Sequence, residues 1–321
     1  PMFIAADGDA FRRLFGEGLS RMLRANDLGA FILVLANSLQ HHKLRAALHP
    51  AIDSVYAGLG AAATGSDDDR EVFALLAGEG IARQQCWQHR QAGCWELVYN
   101  SMRRLRPARL SARPFAGVSQ PYDERQFNFN RPLLQAERFW RGEWRGCDYK
   151  VFYNKFPFAP WHLLIAPDAA AGRPQYLDAH THAMTWELVA AQQQVLPGFG
   201  VGYNSLGAGA SVNHLHLQGF LRSDPLPVES SRWRHHGGDE PYPLYCSLAE
   251  TASDAWLLID RLQQSQQPFN LLYRPGRCYL LPRRPQATVS ARKWASGIAW
   301  YESCGVFTLD DSALPELSLI H

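Results

Sequence analysis

The string GYNSLGAGASVNHLHLQGF, residues 202–220, sets a run of small residues directly before two histidines and a glutamine spaced two apart. Two-residue spacing is the period of an extended strand, whose alternate side chains share one face. His214, His216 and Gln218 then line up together, while Leu215, Leu217 and Gly219 turn to the packed side. A neutral imidazole is a competent nucleophile at physiological pH. The small residues from Gly207 to Ser211 permit close backbone approach, and consecutive N–H groups there can form an anion-binding concavity. A loop of that kind followed by imidazoles suits phosphate chemistry. Two imidazoles and an amide lack the carboxylate or thiolate that would complete a metal shell, so neither metal nor cofactor is expected.

Such residues need a scaffold, and the chain supplies mixed signals for one. Residues 8–100 read as helical, with apolar residues at three- and four-residue intervals in FRRLFGEGLSRML and GAFILVLANSLQHHKLRAAL. The His41 and His42 pair there reads as a solvated face. SDDDREVFALLAGEGIA begins with acidic residues where a helix dipole favours them. The basic, proline-broken stretch after it places a boundary near residue 105, and its Arg103, Arg104, Arg106, Arg109 and Arg113 read as a solvated charged face.

Beyond the boundary, strands are expected at 149–154, 161–166, 200–204 and 213–221, with a helix over 174–196 that stops before Pro197 and Gly198. A second helix over 253–264 leads to the strands FNLLYR and CYLLPRR, joined at Pro275 and Gly276. That pair echoes YKVFYN followed by WHLLIAP, a weak sign of internal duplication. The fold class expected is α+β: an antiparallel sheet with packed helices, open to duplication as 106–225 and 226–321, plus an N-terminal helical region over 1–105.

Composition narrows the function. Of 321 residues, 46% are hydrophobic, and 32 Lys+Arg against 30 Asp+Glu leave a net charge of only +2. Nothing in that balance calls for nucleic acid or a membrane. No window approaches 18 apolar residues, and the opening PMFIAADGDAFRRLF lacks a basic segment followed by an apolar core, so a cytoplasmic protein is expected. The six cysteines are widely scattered and read as reduced thiols; Cys86, His89 and Cys94 have poor spacing for zinc.

GASVNHLHLQ resembles the active-site strand of the histidine-triad superfamily, in the transferase and phosphorylase branch that carries HxHxQ where hydrolases carry a third histidine. PYDERQFNFNR at 121–131, YNKFPFAPWHLLIAP at 153–167 and PFNLLYRPGRCYLLPRRPQ at 268–286 extend the likeness, in order, to the GDP-L-galactose and GDP-D-glucose phosphorylases. It covers roughly residues 97–310.

The resemblance implies a nucleotide-sugar phosphorylase. His216 matches the nucleophile that takes a nucleotidyl group from the α-phosphorus of a nucleoside diphosphate compound, His214 orients it, and Gln218 donates to a phosphate oxygen but cannot deliver a proton as imidazolium does. Ser211 matches a phosphate-contacting serine. Asn154, Lys155, Asn204, Ser205, Gly207, Gly209 and Asn213 complete the expected substrate-binding set, with Lys155 offsetting phosphate charge. The partners implied are a nucleoside diphosphate sugar or a dinucleoside polyphosphate together with inorganic phosphate, and a homodimer is compatible with the chain. A diadenosine polyphosphate phosphorylase, a nucleotidyltransferase with another acceptor and a non-catalytic nucleotide-binding protein stay open. So do the base and the sugar.

Overall fold

The computed structural model describes residues 2–23, 26–60, 63–107, 115–285 and 298–309. Four helices open the chain: α1 (Gly8–Met22), α2 (Leu28–Ser38), α3 (His42–Gly58) and α4 (Asp67–Glu79). Each begins where a side chain accepts first-turn amides, from Asp7, Asp27, His41 and Ser66 in turn. His41 is therefore the cap that separates α2 from α3, where the periodicity alone suggests one longer helix. Every residue of the apolar α2 is buried.

Residues 88–99 depart from the helical expectation. They form a hairpin, β1 (Gln88–Ala92) and β2 (Trp95–Tyr99), and β2 pairs in parallel with β11 (Val306–Leu309). Their helix-compatible composition is overridden by a partner two hundred residues away, which local periodicity cannot register.

The large sheet has eight strands: β3 (Arg138–Trp144), β4 (Cys147–Tyr153), β5 (Leu163–Pro167), β6 (Phe199–Asn204), β7 (Leu217–Leu221), β8 (Ser247–Ala249), β9 (Phe269–Arg274) and β10 (Arg277–Pro282). Their order is β3-β4-β5-β7-β6-β9-β10-β8, and every pairing is antiparallel. Helix α5 (Ala179–Val195) lies between β5 and β6 in the chain, and α6 (Ala252–Gln264) between β8 and β9. This is the α+β arrangement expected. From β5 to β8 the order is palindromic about the β6–β9 pair, so β5-α5-β6-β7 and β8-α6-β9-β10 are the same unit of topology. The sequence echo matched β9–β10 to β4–β5 instead. Generic apolar strand pairs look alike, and only the preceding helix and the pairing partner tell them apart.

Register assigns the faces. The row Tyr153, Leu163, Gly219, Val201, Tyr273 crosses five strands. At one end Phe15 of α1 meets Tyr153 edge-on at 4.8 Å, and at the other His182 of α5 bonds the Tyr273 hydroxyl at 2.8 Å. That face is the helical one. The next row, Phe152, Leu164, Gln218, Gly202, Leu272, points the opposite way and carries the candidate site. One apolar core runs from Phe3, Phe11 and Phe15 through Tyr149 and Tyr153 to Tyr273, so packing is continuous across residue 105.

The basic run is not a solvated face. Arg103 is buried, its guanidinium donating to the Phe156 carbonyl at 3.1 Å and lying over the Phe158 ring, and Arg104 pairs with Glu79. Arg109 and Arg113 lie outside the described residues.

Candidate active site

The histidines sit just before β7, not within it, because the strand starts at Leu217. Leu215 bonds its amide to the Arg173 carbonyl at 2.9 Å, and the His216 amide donates to Gln175 Oε1 at 2.8 Å, so neither pairs with a neighbouring strand. His216 and Gln218 still share the open face. The long connection from β6 is what bends the backbone off the ladder, at Gly207 (φ 77°) and Gly209 (φ 103°).

Hydrogen bonds decide the imidazole tautomers. His214 Nδ1 lies 3.0 Å from the Phe129 amide, which can only donate, and its Nε2 lies 3.0 Å from the Ala169 carbonyl, which can only accept. The His214 proton is therefore on Nε2, and its ring is fully engaged. His216 Nδ1 lies 2.8 Å from the His214 carbonyl and must donate to it. That leaves Nε2 of His216 with its lone pair. Burial holds the His216 pKa down at about 4, with the His214 carbonyl opposing, so the ring is neutral at physiological pH. Burial likewise lowers His214 to about 4 and His162 to about 3. His214 thus orients His216 through its backbone oxygen and not through its ring.

The orientation of Gln218 follows from a donor-only group. Trp300 Nε1 lies 2.8 Å from one terminal atom of the amide, and an indole N–H cannot accept, so that atom is oxygen. His162 Nε2 lies 3.1 Å from the same oxygen and donates as well, which agrees with its Nδ1 accepting from the Phe158 amide at 3.3 Å. With Oε1 held twice, the Gln218 –NH2 makes no hydrogen bond among the described residues.

Other expected residues divide into two groups. Asn204 Oδ1 accepts from the Trp300 amide (2.8 Å) and from Asn270 Nδ2 (2.7 Å), again turning an –NH2 away from its protein partners. Ser211 is half-buried, and its amide and those of Val212, Asn213 and His214 make no hydrogen bond among the described residues. By contrast, the Ser205 hydroxyl is used within the loop, donating to the Leu206 carbonyl and accepting from the Phe269 amide. Asn213 braces the Gln175 amide and the Pro121 carbonyl. Asn154 accepts from the Phe156 amide, and its nitrogen sits 3.4 Å from both ring nitrogens of His162.

Lys155 is the clearest correction. Its ammonium meets Asp69 of α4 at 3.0 Å and Glu137 at 3.4 Å, so its charge is matched inside the protein and pins the N-terminal helices to the sheet. Gln175 was not foreseen at all. It holds both strands of the loop, donating to the Asn204 and His216 carbonyls. Trp300 and Phe129 were missed too, although Phe129 lies in the string FNFN and its ring packs 5.2 Å from that of His216. Beside His214 a cleft of about 420 Å³ opens, with Tyr122, Asn128, Asn130 and Arg131 among its walls; the Tyr122 ring packs 5.0 Å from the His214 ring. Among the described residues no group of three or more His, Cys, Asp or Glu side chains could hold a metal ion.

Residues 95–220, which span β2 to β7, match the family described as GDPGP1-like, N-terminal domain. Part of the chain is also similar to curated GDP-hexose phosphorylases. GDP-D-glucose phosphorylase 1 of Macaca fascicularis is 36% identical over 142 residues, 42% of this chain and 35% of that protein. GDP-L-galactose phosphorylase 1 of Arabidopsis thaliana is 35% identical over 188 residues, 48% of this chain and 42% of its own length. The chain therefore spans between a third and a half of these relatives. A solved yeast Ap4A phosphorylase bound to Ap4A overlaps 79% of this chain and 93% of its own at 13% identity and a TM-score of 0.49, too loose an overlap to bear on function. The GDPGP1-like segment holds three of the four resembling blocks. The fourth, at 268–286, and Trp300 lie beyond it.

Proposed function

We propose that this protein is a nucleotide-sugar phosphorylase that works by two displacements at phosphorus. His216 Nε2 attacks the α-phosphorus of a GDP-hexose; a P–N bond forms, the bond to the β-phosphate oxygen breaks, and hexose 1-phosphate leaves. Inorganic phosphate then attacks the guanylyl-histidine, the P–N bond breaks, and GDP departs. Two inversions leave the configuration at phosphorus unchanged.

The observation that carries this reading is the tautomer of His216. Its Nδ1–H is committed to the His214 carbonyl and its Nε2 lone pair is neutral and meets no donor among the described residues, which is the state a phosphorus nucleophile needs. Gln218 supports the choice of leaving group. A phosphate departs without a strong general acid, and an amide that offers only N–H groups can steady the oxygens without supplying a proton. The amides from Ser211 to His214, which make no hydrogen bond among the described residues, support an anion-binding cradle beside the nucleophile. The GDPGP1-like match over 95–220 and the likeness to GDP-hexose phosphorylases support the GDP-hexose as donor. Six free thiols support a cytoplasmic setting.

The test is a phosphate-dependent product assay by chromatography and phosphorus NMR over GDP-, ADP- and UDP-hexoses and diadenosine tetraphosphate. GDP and hexose 1-phosphate in equal amounts from a GDP-hexose are the expected products. Release from diadenosine tetraphosphate alone would transfer the same chemistry to a dinucleoside polyphosphate, and binding without turnover would end the enzymatic reading.

A further inference from the structure

Trp300 is built into the site more deliberately than its distance along the chain suggests. It opens the single-turn helix α7 (Trp300–Ser303), and its backbone amide bonds Asn204 Oδ1 while its indole N–H bonds Gln218 Oε1. The indole lies flat over strand β6 where Gly202 leaves room for it: a Cβ on Gly202 would come within 2.2 Å of the ring. Phe220 packs on it at 5.0 Å and Phe158 at 6.1 Å. The residue is fully buried. The Gly202 position in the GYNSL string thus has a specific steric purpose, which is to seat an indole brought in from residue 300.

The seat matters because Gln218 has two ends of opposite character. With oxygen inward, the –NH2 is available to a phosphate oxygen; flipped, the same position would present a carbonyl that repels it. His162 Nε2–H, held as a donor because Nδ1 accepts from the Phe158 amide, favours the same orientation, and the Trp300 indole adds a second donor that a flipped amide would meet with its –NH2. The indole can only donate. We infer that Trp300 is a positioning residue that locks the Gln218 amide with its –NH2 toward the transferring phosphate, and that the site is complete only when the α7 segment is docked on β6.

This inference rests on the proposed phosphoryl chemistry for its kinetic consequence, though not for the contact itself, and the experiment separates the two. Trp300→Phe keeps an aromatic ring in the seat, smaller than the indole, and removes the N–H. The expected result is a fall in kcat of about tenfold, the size of one hydrogen bond, with KM for the GDP-hexose within about twofold. In a Gln218→Ala background the same change should add little, because the two residues act through one amide. Gly202→Ala keeps the indole chemistry and displaces the ring, and should reproduce the Trp300→Phe loss. The indole N–H resonance absent from Trp300→Phe marks Trp300 in a nitrogen–proton NMR spectrum, and in otherwise unchanged protein it should move on Gln218→Ala. An unmoved resonance, or a Trp300→Phe loss that adds in full to that of Gln218→Ala, overturns the inference. If wild-type protein transfers no nucleotide, the phosphorylase reading falls while the resonance still decides the contact.

Discussion

The two β-α-β-β units of the large sheet are alike in topology and unlike in chemistry. In the first, the strands β6 and β7 are joined by residues 205–216; in the second, β9 and β10 are joined by Pro275 and Gly276 alone. The long connection holds the small-residue loop and both histidines, and the short one holds nothing that can react. The second unit serves the first as a buttress. Asn270 of β9 holds Asn204 and the Ala208 carbonyl, and Arg274 lies over Phe220, bonds the Gly198 and Arg222 carbonyls and pairs with Glu229. A sheet tolerates extra length at a hairpin because the connection lies outside the ladder, so chemistry can be added there without disturbing the pairing that supports it.

Removing the nucleophile is the most severe break of that contrast. His216→Ala should lower nucleotidyl transfer by about 10⁴-fold or more while leaving the melting profile cooperative. Mass spectrometry of protein quenched without phosphate should find one added nucleotidyl group on the wild type and none on the variant; turnover near wild type would show that the long connection is not where the covalent step occurs. Gln218→His tests the same loop more gently. An imidazole accepting one of the Trp300 and His162 donors at one nitrogen would present its other N–H to the leaving group, and the ratio of hydrolysis to phosphorolysis should rise by about 10²-fold. An unchanged ratio measured by phosphorus NMR would deny position 218 any part in that partition.

How much of this was legible in the sequence follows from how local each feature is. The histidine pair, the glutamine and the glycines announced themselves because they are contiguous, and the α+β architecture followed from alternating strand and helix patterns. FNLLYR was placed to the residue as β9, since both its neighbours in the chain are turn formers. What escaped depends on distant partners. Lys155 reads as a solvated lysine or a phosphate counter-charge until α4 brings Asp69 against it, 86 residues earlier in the chain. Trp300 is 82 residues from Gln218, and nothing in the string around it signals a glycine seat on β6. Asn270 had a signal in principle: once β6 and β9 are known to pair, Asn204 and Asn270 stand directly opposite.

Acid should find the first unit before the second. His162, His214 and His216 are held at about 3, 4 and 4, against about 6.5 in an unfolded chain, and burial is the main cause in each. Between those values the unfolded state binds more protons, so stability is fully present above about pH 6.5 and is lost as pH falls toward 4. His89, His182 and His236 are lowered too and act in the same direction. The β9–β10 hairpin contains no histidine and meets His182 and His236 through the Tyr273 and Tyr279 hydroxyls at its rim, whereas the first unit carries its three most depressed histidines itself. The melting temperature should be level from pH 8 to 6.5 and then fall, by on the order of a few kcal/mol in stability. Amide exchange near β7 should rise before that in β9 and β10. A melting temperature that stays level down to pH 4 would mean the histidines are not buried neutral.

The smallest effect comes from two glycines in corresponding connections. Gly207 (φ 77°) and Gly276 (φ 71°) both hold the left-handed conformation, so an alanine at either is strained by about 1–2 kcal/mol. They differ in surroundings. A Cβ on Gly276 meets nothing within 4 Å, whereas one on Gly207 would lie 2.3 Å from the Phe115 ring and 3.1 Å from Pro268. Gly276→Ala should therefore lower stability by that backbone strain alone and leave the transfer rate unchanged. Gly207→Ala should cost about a further 1–3 kcal/mol from overlap, shared between a displaced Phe115 ring and the loop that carries Ser211 and His214, so its transfer rate should drop as well. Chemical denaturation and single-turnover rates on the two variants measure both quantities together. Equal losses of rate would show that the turn and the loop are coupled through the sheet, and the division of labour between the two units would then have to be abandoned.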